Sequence, residues 1–304
     1  MKILVLGGSG YIGGSVAERL RAEGHAVLAQ VRSAENAARV RERDMEPVQA
    51  TLTELSAIAA AAKRADAVIN AADAENAMLA LSVLDALAGS GKCFIQTSGS
   101  SVIADRACGE GSEAIFNEDT PCTPLPERAA RVAIDNLVLA AAQCGLRTIV
   151  IRPALIYGRG HGLKRHSIQL PKLIEVARAY GVARHVGRGL NIWSHVHIED
   201  VIALYLRALK DAPAGSLFYA ENGETSWKDM AASVSRALGL GGATQDWPLE
   251  EALAALGVGA ITSYGSNSRV RADKARRMLG WTPKHSAILD EIERGCYRED
   301  FGPR

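Results

Sequence analysis

Neither sign of charge prevails in this chain: 35 Lys and Arg stand against 34 Asp and Glu. Without a large single-sign field nothing points to nucleic acid or to an anionic membrane, and a small-molecule substrate becomes the expected partner. Cysteine is also scarce. Cys93, Cys108, Cys122, Cys144 and Cys296 are odd in number and make no C-x-x-C pair, which argues against a disulfide framework and a zinc site. No metal is expected, and reduced thiols fit a cytoplasmic location. Also missing are any stretch of about 18 apolar residues and, in Met1 to Gly7, any basic n-region, apolar h-region or cleavage site. The chain reads as soluble and unexported, with no membrane partner.

What is present is alternation. Short apolar runs at Lys2–Leu6, His25–Val31, Ala67–Asn70, Lys92–Thr97 and Arg147–Ile151 are separated by helical periodicity at 11–23, 53–64, 74–88 and 127–144. Strands alternating with helices give an α/β fold, a doubly wound parallel sheet covered on both faces. A chain of 304 residues suits one compact unit with an elaborated second lobe, since cores usually split beyond roughly 250 to 300 residues. Past Pro153 the rhythm gives way to a Gly- and His-rich stretch, Tyr157 to Ser167, which reads as a functional loop.

Gly7-Gly-Ser-Gly10-Tyr11-Ile12-Gly13 sits between the first strand and the first helix. In that context glycines allow a sharp turn, a close approach of backbone to a pyrophosphate and tight helix packing, while the helix N-terminus favours negative charge. The plain alternative is a strand–helix turn with no ligand. The end of the second strand selects the dinucleotide: Ala29-Gln30-Val31-Arg32-Ser33 offers no acid for a ribose 2'-hydroxyl, but an Arg for a 2'-phosphate. NADP(H) is therefore expected ahead of NAD(H), unless Arg32 is only a solvated charge.

Several motifs together resemble the extended short-chain dehydrogenase/reductases, the NAD-dependent epimerase/dehydratase group. They are G-x-x-G-x-x-G, Asn70-Ala71-Ala72, Thr97-Ser98, Arg152-Pro-Ala-Leu-Ile-Tyr-Gly158, Val196-His-Ile-Glu-Asp200 and Lys274-Ala-Arg-Arg-Met-Leu-Gly-Trp-Thr-Pro283. The resemblance spans nearly the whole chain. It implies a nucleotide domain at 1–153, with 191–215 returning to it, and a smaller mixed substrate lobe at 154–190 and 216–304. It further implies that Ala71 and Ala72 line the cofactor ribose, that Thr97 lies at the cofactor, and that Arg152 and Pro153 pack near the nicotinamide.

One departure bears on chemistry. The family pattern has a Tyr four residues before a Lys, yet Glu127 and Arg131 stand in the matching helix, and none of the seven tyrosines has Lys four residues on. Such a chain resembles the atypical branch of the superfamily, which holds both reductases and non-catalytic sensors. Glu127 and Arg131 read either as a surface i,i+4 pair or as side chains aimed at the cofactor, with Arg131 on its ribose or phosphate. The family's Ser/Thr aligns with Ser98 or Gly99; Ser98 and Ser100 are expected near the nicotinamide. Other proton-donor candidates are Tyr157 and His161 in or beside the Gly-rich loop, with Lys164 and His166, though a solvated basic loop is the plainer reading. His195 and His197 share a strand face with Trp193 but have no third ligand for a metal, and Asp200 is expected to cap the next helix. The first functional expectation is an NADP(H)-dependent oxidoreductase of small carbonyl compounds. A dinucleotide-sensing protein without turnover is the second, and a nucleotide-sugar epimerase or dehydratase the third. A homodimer is left open.

Overall fold

The computed structural model describes residues 1–285 and 287–303. Strands β1 (Lys2–Leu6), β2 (Ala26–Val31), β3 (Glu46–Gln49), β4 (Ala67–Asn70), β5 (Cys93–Thr97) and β6 (Arg147–Pro153) alternate with helices α1 (Tyr11–Ala22), α2 (Ala34–Arg41), α3 (Leu55–Arg64), α4 (Ala77–Leu87) and α5 (Pro126–Ala140). Then come β7 (Leu155–Tyr157), α6 (Gln169–Tyr180), β8 (Ala183–Val186), β9 (Ile192–His197), α7 (Ile198–Asp211) and β10 (Ser216–Ala220). The remainder is β11 (Glu224–Ser226), α8 (Trp227–Ala237), β12 (Thr244–Trp247), α9 (Leu249–Leu256), α10 (Asp273–Leu279), α11 (Ile288–Glu293) and α12 (Cys296–Phe301).

Seven strands form one parallel sheet in the order β10-β6-β5-β4-β1-β2-β3. β1 shows why its sequence is apolar throughout. Successive side chains face opposite ways, so Ile3 and Val5 pack with Val16 and Leu20 of α1 and Val201 and Leu204 of α7. Leu4 and Leu6 pack with Ile58 of α3, Leu79 and Val83 of α4, and Ile134 and Val138 of α5. All four strand side chains are fully buried, and each contributes about 1.5–3 kcal/mol by leaving water. This is the doubly wound architecture expected from the alternation.

The smaller lobe has its own core, in which Leu170 and Leu173 of α6 meet Trp227 and Met230 of α8, Trp247 of β12 and Tyr297 of α12. Beside it lie two small sheets, β11-β9-β7 and β12-β8. Past the boundary expected at 215 the chain still contributes to the main core, through Val270, Ala272, Ala275, Leu279 and Trp281 as well as β10. β10 lies in the main sheet, with Leu217 to Ala220 registered on Val150 to Pro153 of β6, because its buried Phe218 and Ala220 belong to the main core. The cap expected of Asp200 is also different. His197 caps α7, its Nδ1 accepting the Glu199 N–H at 3.3 Å, while the Asp200 carboxylate accepts the N–H groups of Lys284 and His285 at 2.9 Å each. That ties the C-terminal segment to the nucleotide domain. No helix among the described residues is long and apolar enough to cross a membrane.

Candidate functional site

β1 and β4 are neighbours whose following helices leave on opposite faces of the sheet, α1 on one and α4 on the other. Chain divergence of that kind opens a crevice at the C-terminal ends of the strands. A cleft of about 730 Å³ lies there, floored by Gly10 to Ile12, Ala71 and Ala72, Ser98 to Ser101, and Pro153 with Ala154. Arg128 and Arg131 of α5 form one wall, Lys164, Ile168 and Lys172 another, and Trp193, Leu256 and Tyr264 close the end nearest the smaller lobe.

The glycine loop is built for close backbone approach. Gly7 has φ +77°, and a Cβ there would lie 2.8 Å from the Ala71 carbonyl oxygen. A Cβ on Gly13 would collide with the Gly7 carbonyl, which is why α1 can start directly over β1. Gly10 is the N-cap and offers no side-chain acceptor, so the first-turn N–H groups and the helix dipole remain for an anion. Gln30 braces the loop from β2: its Oε1 accepts the Gly7 N–H at 3.0 Å, and its Nε2 donates to the Ala50 carbonyl at 2.5 Å. A pyrophosphate fits this cradle. Arg32, at the end of β2, is exposed.

At the ends of β5 and β6 the hydroxyls divide by partner. Ser98 donates to Asp135 Oδ2 at 2.8 Å, and Arg152 Nε donates to the same oxygen at 2.8 Å. Asp135 and Arg152 are 0% and 5% exposed. Burial pulls at the Arg152 guanidinium, but the Asp135 carboxylate overrides it and holds the group above its ordinary value. Ser100 is buried against Ser268, whose hydroxyl lies 2.8 Å away. Thr97 turns from the cleft into the core, its hydroxyl 2.7 Å from that of Tyr205. Ser101 is the hydroxyl held by the wall of the cleft, accepting from Arg131 Nη1 at 3.1 Å. A Cβ added at Gly99 would face that same guanidinium at 3.3 Å.

Residues 3–218 match the family model for the NAD dependent epimerase/dehydratase family. The chain belongs to that family. Among curated relatives it is 29% identical, over 98% of its own length and 100% of the other's, to an uncharacterised protein of Schizosaccharomyces pombe. It is 25% identical, over 96% of each chain, to 4-hydroxy-2-methyl-3-oxo-4-farnesyl-3,4-dihydroquinoline-1-oxide ketoreductase of Stigmatella aurantiaca. Among solved structures, dTDP-glucose 4,6-dehydratase of Bacillus anthracis in complex with NAD superposes with a TM-score of 0.78 at 18% identity, covering 99% of this chain and 97% of that one.

In this epimerase/dehydratase family chain the two helix positions expected in the places of Tyr and Lys part company. Arg131 lines the cleft, whereas Glu127 turns to Arg106, 2.6 Å away, and does not line it. Tyr157 and His161, expected near the nicotinamide, are not in the lining either. Alternation along β7 turns Ile156 to the cleft and Tyr157 the other way, its hydroxyl donating to the His285 carbonyl at 3.0 Å. The Gly-rich loop folds back onto α1, with Gly162 packed on Gly14 and the His161 N–H on Ser15 Oγ at 3.0 Å. The His161 ring consequently meets Glu199 at the surface, and His166 meets Asp300 at 2.9 Å. Only Lys164 and Ser167 of that loop reach the cleft. His195 is buried, and desolvation lowers its pKa to about 4.

Gln30, Ser101, Arg128 and Asp135 join the site without being among the residues expected from the sequence. A polar Gln inside an apolar strand was one available signal. Asp135, one helical turn past Arg131, was another.

Proposed function

We propose that the chain is an NADP(H)-dependent oxidoreductase acting on a small carbonyl-type substrate. The observation that carries this reading is the continuity of the cleft, from the uncapped amides of Tyr11 and Ile12, past Ala71, Ala72 and Pro153, to an apolar end at Trp193, Leu256 and Tyr264. The dinucleotide, when bound, supplies the hydride. The chain's part is position, electrostatics and a proton. Gly7, Gly10 and Gly13 let the backbone approach the pyrophosphate, while Tyr11 and Ile12 present first-turn amides. Arg32 meets the 2'-phosphate, Ala71 and Ala72 flank the adenine-side ribose, and Arg131 holds the nicotinamide-side ribose. Ser98 lies at the nicotinamide with its orientation set by Asp135, and Thr97 and Ser100 hold the floor beneath it. Ser101, polarised by the Arg131 guanidinium, is the hydroxyl best placed to meet a substrate oxygen. The name of the Stigmatella relative, a ketoreductase, supports carbonyl reduction over sugar epimerisation. A homodimer is part of the proposal, supported by exposed Met78 and Leu81 on α4 and Leu137 on the neighbouring α5.

A second reading, a dinucleotide sensor without turnover, has its own support. Both tyrosine hydroxyls in the lining are committed to backbone, Tyr11 to the Gly158 carbonyl at 2.8 Å and Tyr264 to the Gln169 carbonyl at 3.2 Å. The test is titration with NADPH, followed through the combined fluorescence of the four tryptophans, and then loss of NADPH absorbance across ketones, aldehydes and imines. Quenching with turnover of at least one class supports the oxidoreductase. Quenching without turnover of any supports the sensor, and no quenching sinks both.

A further inference from the structure

Every charged side chain lining the cleft is a cation: Arg128, Arg131, Lys164 and Lys172. Their counter-charges do not balance them. Arg128 and Arg131 share a single carboxylate oxygen, Glu75 Oε1, at 3.2 and 2.8 Å, and Glu75 is 43% exposed. The Nε atoms of both arginines are buried and have no hydrogen-bond partner among the described residues. Burial, and then the neighbouring Arg131 charge, pull the Arg128 guanidinium below its ordinary value, the mark of a cation short of negative charge. Among the described residues Lys172 is paired only with Glu175, on the solvent side of α6.

Arg128 also has a definite place along the cleft. Its Nη2 donates to Thr262 Oγ1 at 2.8 Å, which puts the guanidinium against the smaller lobe. Arg131, one turn further along α5, holds Ser101 on the nucleotide side. The pyrophosphate cradle at Gly10 is a separate feature, served by backbone amides. The surplus charge at Arg128 therefore lies at the substrate end, beside the apolar Ile168, Leu256, Trp193 and Tyr264.

We infer that the substrate is a carboxylate: an apolar or aromatic body bearing an anionic group that docks on Arg128, with Lys172 adding to the attraction and the carbonyl directed toward Ser101. This rests on the oxidoreductase reading for the carbonyl and on charge and geometry alone for the carboxylate. A planar guanidinium next to apolar surface is suited to such a group, because it binds carboxylate through paired N–H donors and is weakly hydrated.

The test measures binding to the full chain by calorimetry, with and without saturating NADP⁺ so that no turnover occurs. The probes are para-acetylbenzoate against para-acetylbenzamide and levulinate against levulinamide. Each acid is expected to bind about tenfold tighter than its amide, the worth of a charge-assisted hydrogen bond, and the margin should shrink as salt is raised. Arg128→Gln should erase most of the margin while leaving amide binding within about twofold. Lys172→Gln, at a half-exposed site that spares the buried pair, should narrow it in the same direction. Equal binding of acid and amide, including no binding of either, overturns the inference, as does a margin that survives Arg128→Gln. NADPH-linked turnover indifferent to the carboxylate sinks this inference and leaves the oxidoreductase reading standing. A carboxylate margin with no turnover of any carbonyl does the reverse.

Discussion

Replacing Asp135 with Asn perturbs the joint between β5 and β6 on which the nicotinamide end of the cleft is built. The carboxylate is fully buried and receives both Ser98 and the Arg152 Nε at 2.8 Å. Asn keeps the size and can still accept from Ser98, but it leaves a buried guanidinium without its counter-charge. Among the described residues Arg152 then keeps only neutral partners, the Asn oxygen and the Tyr219 hydroxyl at 3.4 Å with its ring face, and none is an anion. Breaking one side of a buried pair costs about 3–5 kcal/mol. At roughly 2 cal/mol/K of unfolding entropy per residue, a chain of 304 residues loses about 1.6 °C for each kcal/mol, so Tm should fall by about 5–8 °C. Urea titration and thermal melts followed by circular dichroism read both quantities. Asp135→Asn combined with Arg152→Met removes both charges and should recover at least half of the loss. The reasoning is refuted if the single variant loses under about 1 kcal/mol, or if the double variant is no more stable than the single one.

Gly13→Ala should cost about 1–3 kcal/mol, because the new methyl collides with the Gly7 carbonyl; urea titration measures it, and a neutral result would show that the loop can relax. Arg32→Ala should weaken NADPH about ten- to hundredfold and leave NADH nearly unchanged, so equal losses for the two nucleotides in calorimetry would remove Arg32 from the 2'-phosphate. His195 titrates at about 4 in the fold and near 6.5 when unfolded, so the unfolded chain takes up the proton first. Its contribution is present in full above the unfolded value and falls by about 3 kcal/mol as pH drops from 6.5 toward 4. In His195→Gln the stability profile should be flatter over that window, and an unchanged slope would refute the assignment.

The nucleotide half was legible because a strand buried on both faces is a continuous apolar run, as in Ile3 to Leu6, and because a glycine loop between strand and helix has a local reason. β3 was not marked. It is an edge strand whose Glu46-Pro47-Val48-Gln49 is only half-buried and has no apolar face to betray it, an edge being where Pro is tolerated. Tyr157 and His161 were drawn to the cleft by sequence proximity to Pro153, but a one-residue step along β7 reverses a side chain's direction, and the following loop finds its partners 146 residues earlier, at Ser15. The direction of Ser98 depends on Asp135, 37 residues on. The substrate end joins α5, α6 and the turn before Tyr264, three segments that no local pattern links. Arg128 carried no mark beyond its place one turn from Arg131.

The central claim is that a pyridine dinucleotide lies with its pyrophosphate on the amino end of α1, and calorimetry of the parent chain and Gly10→Glu tests it most directly. At Gly10 an added Cβ meets only the Gly7 carbonyl oxygen, at 3.0 Å, so the variant should fold with an unchanged circular dichroism spectrum while setting a carboxylate against the pyrophosphate. The parent should bind NADPH, more tightly than NADH, and the variant should bind neither. Absence of any heat with the parent for either nucleotide, oxidised or reduced, or undiminished binding in the variant, would contradict the account.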